Sequence, residues 1–144
     1  MTKQTLSIEQ MQHLKELGLE LKDTMLYWIV YKVGNEKNFV TTRENAMEVI
    51  DESCGMLPAY TLQDVLDALP LQIKTPLYPK GGKYELRIKR MVFDEGRVIY
   101  SVVYEKEAYI DWIVLYSDGV LIDAAYFMLC WAIENGYVET NKNE

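Results

Sequence analysis

Apolar positions near the start of the chain recur at helical spacing, with Ile8, Met11, Leu14 and Leu17 on one stripe. Ser7 is placed to cap that helix and Gln10 completes a capping box, while Leu6 and Met11 occupy the staple positions. Gly18 offers the left-handed stop at the other end. Residues 25–33 follow a different rule, being β-branched and aromatic on both alternating faces. Such a segment predicts a central strand covered on both sides. Residues 34–38 read as a turn. Residues 39–50 carry two signals: Phe39 and Val40 can close a hairpin, and Thr42 can cap a short helix bearing Ala46, Met47 and Ile50. The pattern leans to the helix without excluding the strand.

A second capped helix is expected after Thr61, with Asp64 at its third position and Tyr60 and Val65 as the staple pair. Pro70 ends it by disfavouring helical geometry at Leu69. Leu62, Val65, Leu66 and Leu69 should face the core, and Asp64 and Asp67 the solvent. From Lys83 to Tyr116 the alternation predicts an antiparallel meander. The turn at Asp94, Glu95 and Gly96 suits a three-residue loop with Gly96 left-handed, which sets Val92 opposite Val98, Arg90 opposite Tyr100, Ile88 opposite Val102 and Leu86 opposite Tyr104. The other face then carries Met91 with Ile99, Lys89 with Ser101, Arg87 with Val103 and Glu85 with Glu105, giving one apolar and one mostly polar face. A further strand is expected over 108–116. A final helix should begin near Asp118, as its N-cap, and stop at Asn135 and Gly136. Asp123 is the only charge between Val120 and Ile133, so this helix is either covered on two sides or shows an apolar patch to a partner.

These elements make an α+β domain over residues 1–144: an antiparallel sheet of about four strands packed by helices, with a long apolar C-terminal helix against its centre. The polar ends, 1–5 and 139–144, are expected to fray. The 11 tyrosines and three tryptophans among 144 residues suggest at first an aromatic binding sheet. The hairpin register changes that picture. It places Tyr100 and Tyr104 on the apolar face beside Val98 and Val102, so most of the aromatic excess is expected in the core, with hydroxyls reaching polar edges.

Net charge is −7, which opposes nonspecific binding to a phosphate backbone. The charge is unevenly spread. Between Lys74 and Arg97 seven basic side chains (including Lys80, Lys83, Arg87, Lys89 and Arg90) face three acidic ones; the rest of the chain holds eight basic and 19 acidic residues. Lys83, Arg87 and Lys89 therefore form a candidate anion-binding patch on the polar face of the hairpin. Gly81 and Gly82 lack the G-x-x-x-x-G-K-[ST] pattern and precede a strand, so they read, with Pro76 and Pro79, as a loop and not as a phosphate cradle.

No catalytic, cofactor-binding or metal-ligating motif is visible. The single histidine, His13, sits among Glu9, Gln10 and Glu16 on a polar helix face, and one histidine cannot build the usual multi-histidine zinc sites. Cys54 and Cys130 are 76 positions apart and read as small buried thiols. The start of the chain has no apolar signal-peptide core, and no apolar run approaches the ~18 residues of a membrane span. A noncatalytic cytoplasmic protein is the expectation.

Residues 58–70 and 124–138, together with the opening segment 6–19, resemble small acidic proteins of gut bacteria and their prophages or other mobile elements. The matching segments are helix-and-cap signatures covering about a third of the chain. The resemblance implies a bacterial cytoplasm and a mobile-element origin, and no activity, ligand or catalytic residue. The leading expectation is thus an interaction or accessory protein that binds another protein or its own copy. Val120, Phe127 and Trp131 on the final helix are its candidate partner patch. The alternatives are an anion or nucleic-acid binder using the basic 74–97 hairpin, and a toxin-neutralising immunity-type protein.

Overall fold

The computed structural model describes residues 3–34, 37–75, 82–107 and 111–141. The expected loop prolines Pro76 and Pro79, with Lys80 and Gly81, lie outside the described residues. So do the middle of the 34–38 turn, the first three positions of the expected 108–116 strand and the outermost residues of both expected frayed ends.

Helix α1 (Ile8–Glu16) has the predicted capping box. The Ser7 hydroxyl accepts from Gln10 N–H at 3.1 Å, and the Gln10 side chain accepts from Ser7 N–H at 2.9 Å. Gly18, at φ 100°, lets Leu19 N–H reach Leu14 O and Gly18 N–H reach Lys15 O, the paired bonds that close a helix C-terminus. Strand β1 (Leu26–Tyr31) follows. It is central, as expected, but in a sheet of its own: β2 (Phe39–Thr42) flanks it on one side and β3 (Cys54–Pro58) on the other. Both signals over 39–50 are realised in succession. Thr42 closes β2 and caps α2 (Arg43–Val49), accepting from Asn45 N–H at 3.3 Å.

Helix α3 (Leu62–Ala68) carries the second capping box, between Thr61 and Asp64, and ends at Leu69 before Pro70. Strand β4 (Gln72–Lys74) then joins a four-stranded antiparallel sheet with β5 (Lys83–Val92), β6 (Val98–Glu107) and β7 (Asp111–Asp118), in the order β4-β5-β6-β7. The β5–β6 register is the predicted one, from Val92 opposite Val98 to Glu85 opposite Glu105. Gly96 has φ 78°, and Phe93 N–H donates to Arg97 O across the turn. Helix α4 (Leu121–Glu134) starts two residues later than expected. Val120 stands at its N-cap, and Asp118 instead accepts from Val120 N–H at 2.8 Å. At the far end Gly136, φ 79°, allows the same pair of closing bonds as at Gly18: Tyr137 N–H to Ala132 O and Gly136 N–H to Ile133 O.

The fold is α+β, with two antiparallel sheets in place of the single one expected. Each sheet has its own core. Leu6, Met11 and Leu14 of the α1 segment, Val65 and Leu69 from α3, Val102 and Tyr104 from β6, and most of α4 form the larger cluster. Tyr27, Ile29, Ala46 and Cys54 form the smaller one. Polar contacts join the two: Trp28 Nε1–H donates to Leu6 O at 2.9 Å, and Thr24 Oγ1 donates to Asp64 at 2.8 Å. Asp64 is therefore a half-buried acceptor, not the solvated carboxylate expected from its helix face.

The described parts of the two ends are also tied down. Thr5 bridges Thr61, Lys3 pairs with Asp123 at 2.7 Å, and Asn141 N–H donates to Gly18 O at 2.9 Å.

Candidate functional site

Helix α4 lies between the four-stranded sheet and the α1–α3 side, with Ala124, Ala125, Met128, Leu129 and Ala132 fully buried. That leaves little of it for a partner. Of the expected patch, Val120 is half-buried at the N-cap. Trp131 is half-buried, stacked on Tyr137 at 5.4 Å and tilted against Tyr104 at 6.3 Å. Phe127 alone is open, at 41% exposure. Its ring contacts Tyr126 at 5.5 Å and Tyr116 of β7 at 6.2 Å. The three residues are thus not one patch; the exposed one belongs with β7.

Strand β7 is an edge of the four-stranded sheet and, among the described residues, pairs only with β6. Eight residues long, it contains neither proline nor a basic residue. Trp112 and Leu115 stand out of it at 48% and 41% exposure. Leu115 lies opposite Val103 and Ser117 opposite Ser101, while register shifts occur around Glu105 near Trp112. The opposite edge is β4 for three residues, with Gln72 and Lys74 exposed; among the described residues β4 pairs only with the first three positions of β5, so the rest of that edge is β5 itself, which carries Arg87, Lys89 and Arg90. Short, charged edges resist pairing with another chain; long, apolar ones invite it. The sheet has one guarded and one unguarded edge.

The candidate anion patch is arranged differently. Arg87 pairs with Glu85, and Lys89 Nζ donates to Glu105 at 2.6 Å in a pair whose side chains are only 18% and 9% exposed. Lys83 is exposed beside Lys74, its register partner on β4. The expected polar face is also less wet than predicted. Ser101, Val103 and Glu105 of the central strand β6 are buried on it, screened by the longer side chains of the flanking strands. Sequence alternation assigned the face correctly but could not show that a central strand loses solvent to its neighbours.

A concavity of about 720 Å³ lies between the 19–23 segment, the end of α3 and the 137–141 segment. Tyr60, Leu69 and Tyr137 line it, with Glu20, Asp23, Asp64, Asp67 and Glu139 against one lysine, Lys22. Asp23 pairs with Arg43 and accepts from the Tyr27 hydroxyl; Asp67 accepts from Gln63. This cleft repels anions.

The tyrosine hydroxyls reach polar partners as expected. Tyr104 donates to Pro70 O at 2.6 Å, Tyr84 to Asp111 at 2.9 Å, and Tyr60 accepts from Lys22 N–H at 3.0 Å. Burial pushes the Tyr104 and Tyr126 phenols well above their ordinary range, so both stay neutral across physiological pH. Burial likewise raises the Cys130 thiol. Both cysteines are reduced and buried.

His13 is exposed on α1, 4.0 Å from Glu16, with its ring edge-on to Tyr126 at 6.4 Å. Among the described residues, no group of three or more His, Cys, Asp or Glu side chains is placed to hold a metal ion, and no helix is long and apolar enough to cross a membrane. No protein-family model, curated protein or solved structure matches the chain.

Proposed function

We propose that this protein is a noncatalytic interaction protein that docks a partner protein along the open edge of β7, beside Phe127. The observation that carries this reading is the unguarded eight-residue edge, with Trp112, Leu115 and Phe127 all more than two-fifths exposed around it. Main-chain donors and acceptors on such an edge give a partner strand its affinity, and flanking side chains give selectivity. In keeping with the resemblance of its helix-and-cap segments, we read this role as that of a bacterial cytoplasmic accessory protein of a prophage or other mobile element. The anion-binding alternative loses support from the pairing of Arg87 with Glu85 and Lys89 with Glu105.

The test is comparative capture of partners from a native lysate by wild type, Phe127→Glu and Leu115→Lys, at matched folded stability. Loss of the same bound protein in both variants is expected. A partner retained by both would refute the reading.

A further inference from the structure

Resting on the docking role of β7, we infer that its partner contributes an extended strand whose two ends are basic. Taking about 150–250 Å² for each large side chain, the exposed remainders of Trp112, Leu115 and Phe127 amount to roughly 250 Å². A stable globular interface needs about 800 Å² per partner. An edge with so little flanking surface suits a single added strand, held mainly by main-chain hydrogen bonds, better than a permanent pairing of two copies of this chain.

Charge points the same way. β7 begins with Asp111 and ends with Asp118. Each carboxylate meets only neutral donors among the described contacts: the Tyr84 hydroxyl on Asp111 and Val120 N–H on Asp118. Glu134, exposed on α4, lies close enough for its charge to help burial raise the Tyr116 phenol. Both ends of the edge are therefore acidic, whichever way a partner strand runs. A second copy would bring another −7 molecule to this face. A strand with Lys or Arg at both ends, and apolar residues between them, complements it.

The probe is a displayed library of random ten-residue segments, selected on the folded full chain. Enriched segments should lack proline, alternate β-branched or aromatic residues, and carry Lys or Arg at both ends. A synthetic copy of the commonest should bind about tenfold more weakly to the double variant Asp111→Asn/Asp118→Asn, whose amides still accept the same hydrogen bonds. It should lose binding to Leu115→Lys, a change at a position 41% exposed, with folded stability matched to wild type by denaturation. Enriched segments with neutral or acidic ends that still fail on Leu115→Lys would overturn the basic-strand inference and leave β7 as the dock. Segments that bind Leu115→Lys as well as wild type would overturn the dock itself. Light scattering showing a dimer that Leu115→Lys dissolves would overturn the inference in favour of a second copy.

Discussion

The rings of Phe127 and Tyr116 lie 6.2 Å apart at a 35° tilt, joining the exposed position of α4 to the open strand of the sheet. Most of α4 is core, so this contact decides which part of the helix a partner can reach. Phe127→Glu should cost less than about 1 kcal/mol of stability, because the side chain is already 41% exposed. The same change should weaken partner binding at least about tenfold through lost apolar contact. Urea denaturation read alongside a binding titration separates the two effects.

Met128 and Leu129, both fully buried on the same helix, should behave in the opposite way. Leu129→Ala is expected to cost about 2–5 kcal/mol, the range for removing a buried aliphatic side chain and leaving a cavity. Binding by the fraction that remains folded should be unchanged. Chemical denaturation gives the first number and a titration at low temperature the second.

Lys89 and Glu105 form the most enclosed ion pair of the sheet. Lys89→Met should destabilise by about 2 kcal/mol, since it leaves the Glu105 carboxylate buried without its cation. The double variant Lys89→Met/Glu105→Leu should recover most of that loss, because a buried pair contributes little net against apolar residues of similar size. A double-mutant cycle measured by denaturation checks both statements.

Acid should expose the anchor of the N-terminal segment. Burial alone would raise the Asp123 carboxyl, but hydrogen bonds from Gln10 at 3.0 Å and Lys3 at 2.7 Å, with the Lys3 charge, hold it below the usual 3.8. A lowered folded pKa means the contribution is complete above the ordinary aspartate range and is lost as pH falls through the depressed value. Asp123→Asn should therefore cost about 1 kcal/mol near neutral pH and show a shallower loss of stability between pH 4 and 2 on the ordinary acid scale. Thermal melts across that range provide the comparison.

Local rules made much of this fold readable. Ser7 with Gln10, Thr61 with Asp64, and the glycines 18, 96 and 136 each fix one backbone event that needs no tertiary context, and the hairpin register follows from the turn at Gly96 together with the alternation of the strands that flank it. Strand β3 was hidden because Gly55 and Pro58 are poor strand formers; it forms because pairing with β1 holds it. Strand β4 is too short to show a period, and without β3 as a partner for β1 the separate β2-β1-β3 sheet could not be seen. The site was half visible. Phe127 stood out by being apolar next to charges, whereas Trp112 and Leu115 looked like ordinary strand residues. Their exposure depends on β7 being last in the sheet, which is a fact of strand order and not of local pattern.

Amide hydrogen exchange across residues 111–118, recorded by NMR at two protein concentrations with and without a selected strand peptide, tests the docking role most directly. The β7 amides pointing away from β6 should exchange fast in the unbound protein at both concentrations and become protected when the peptide binds. Outward β7 amides that stay fast with the peptide bound, or that are already slow without it, would contradict an open edge that serves as the dock.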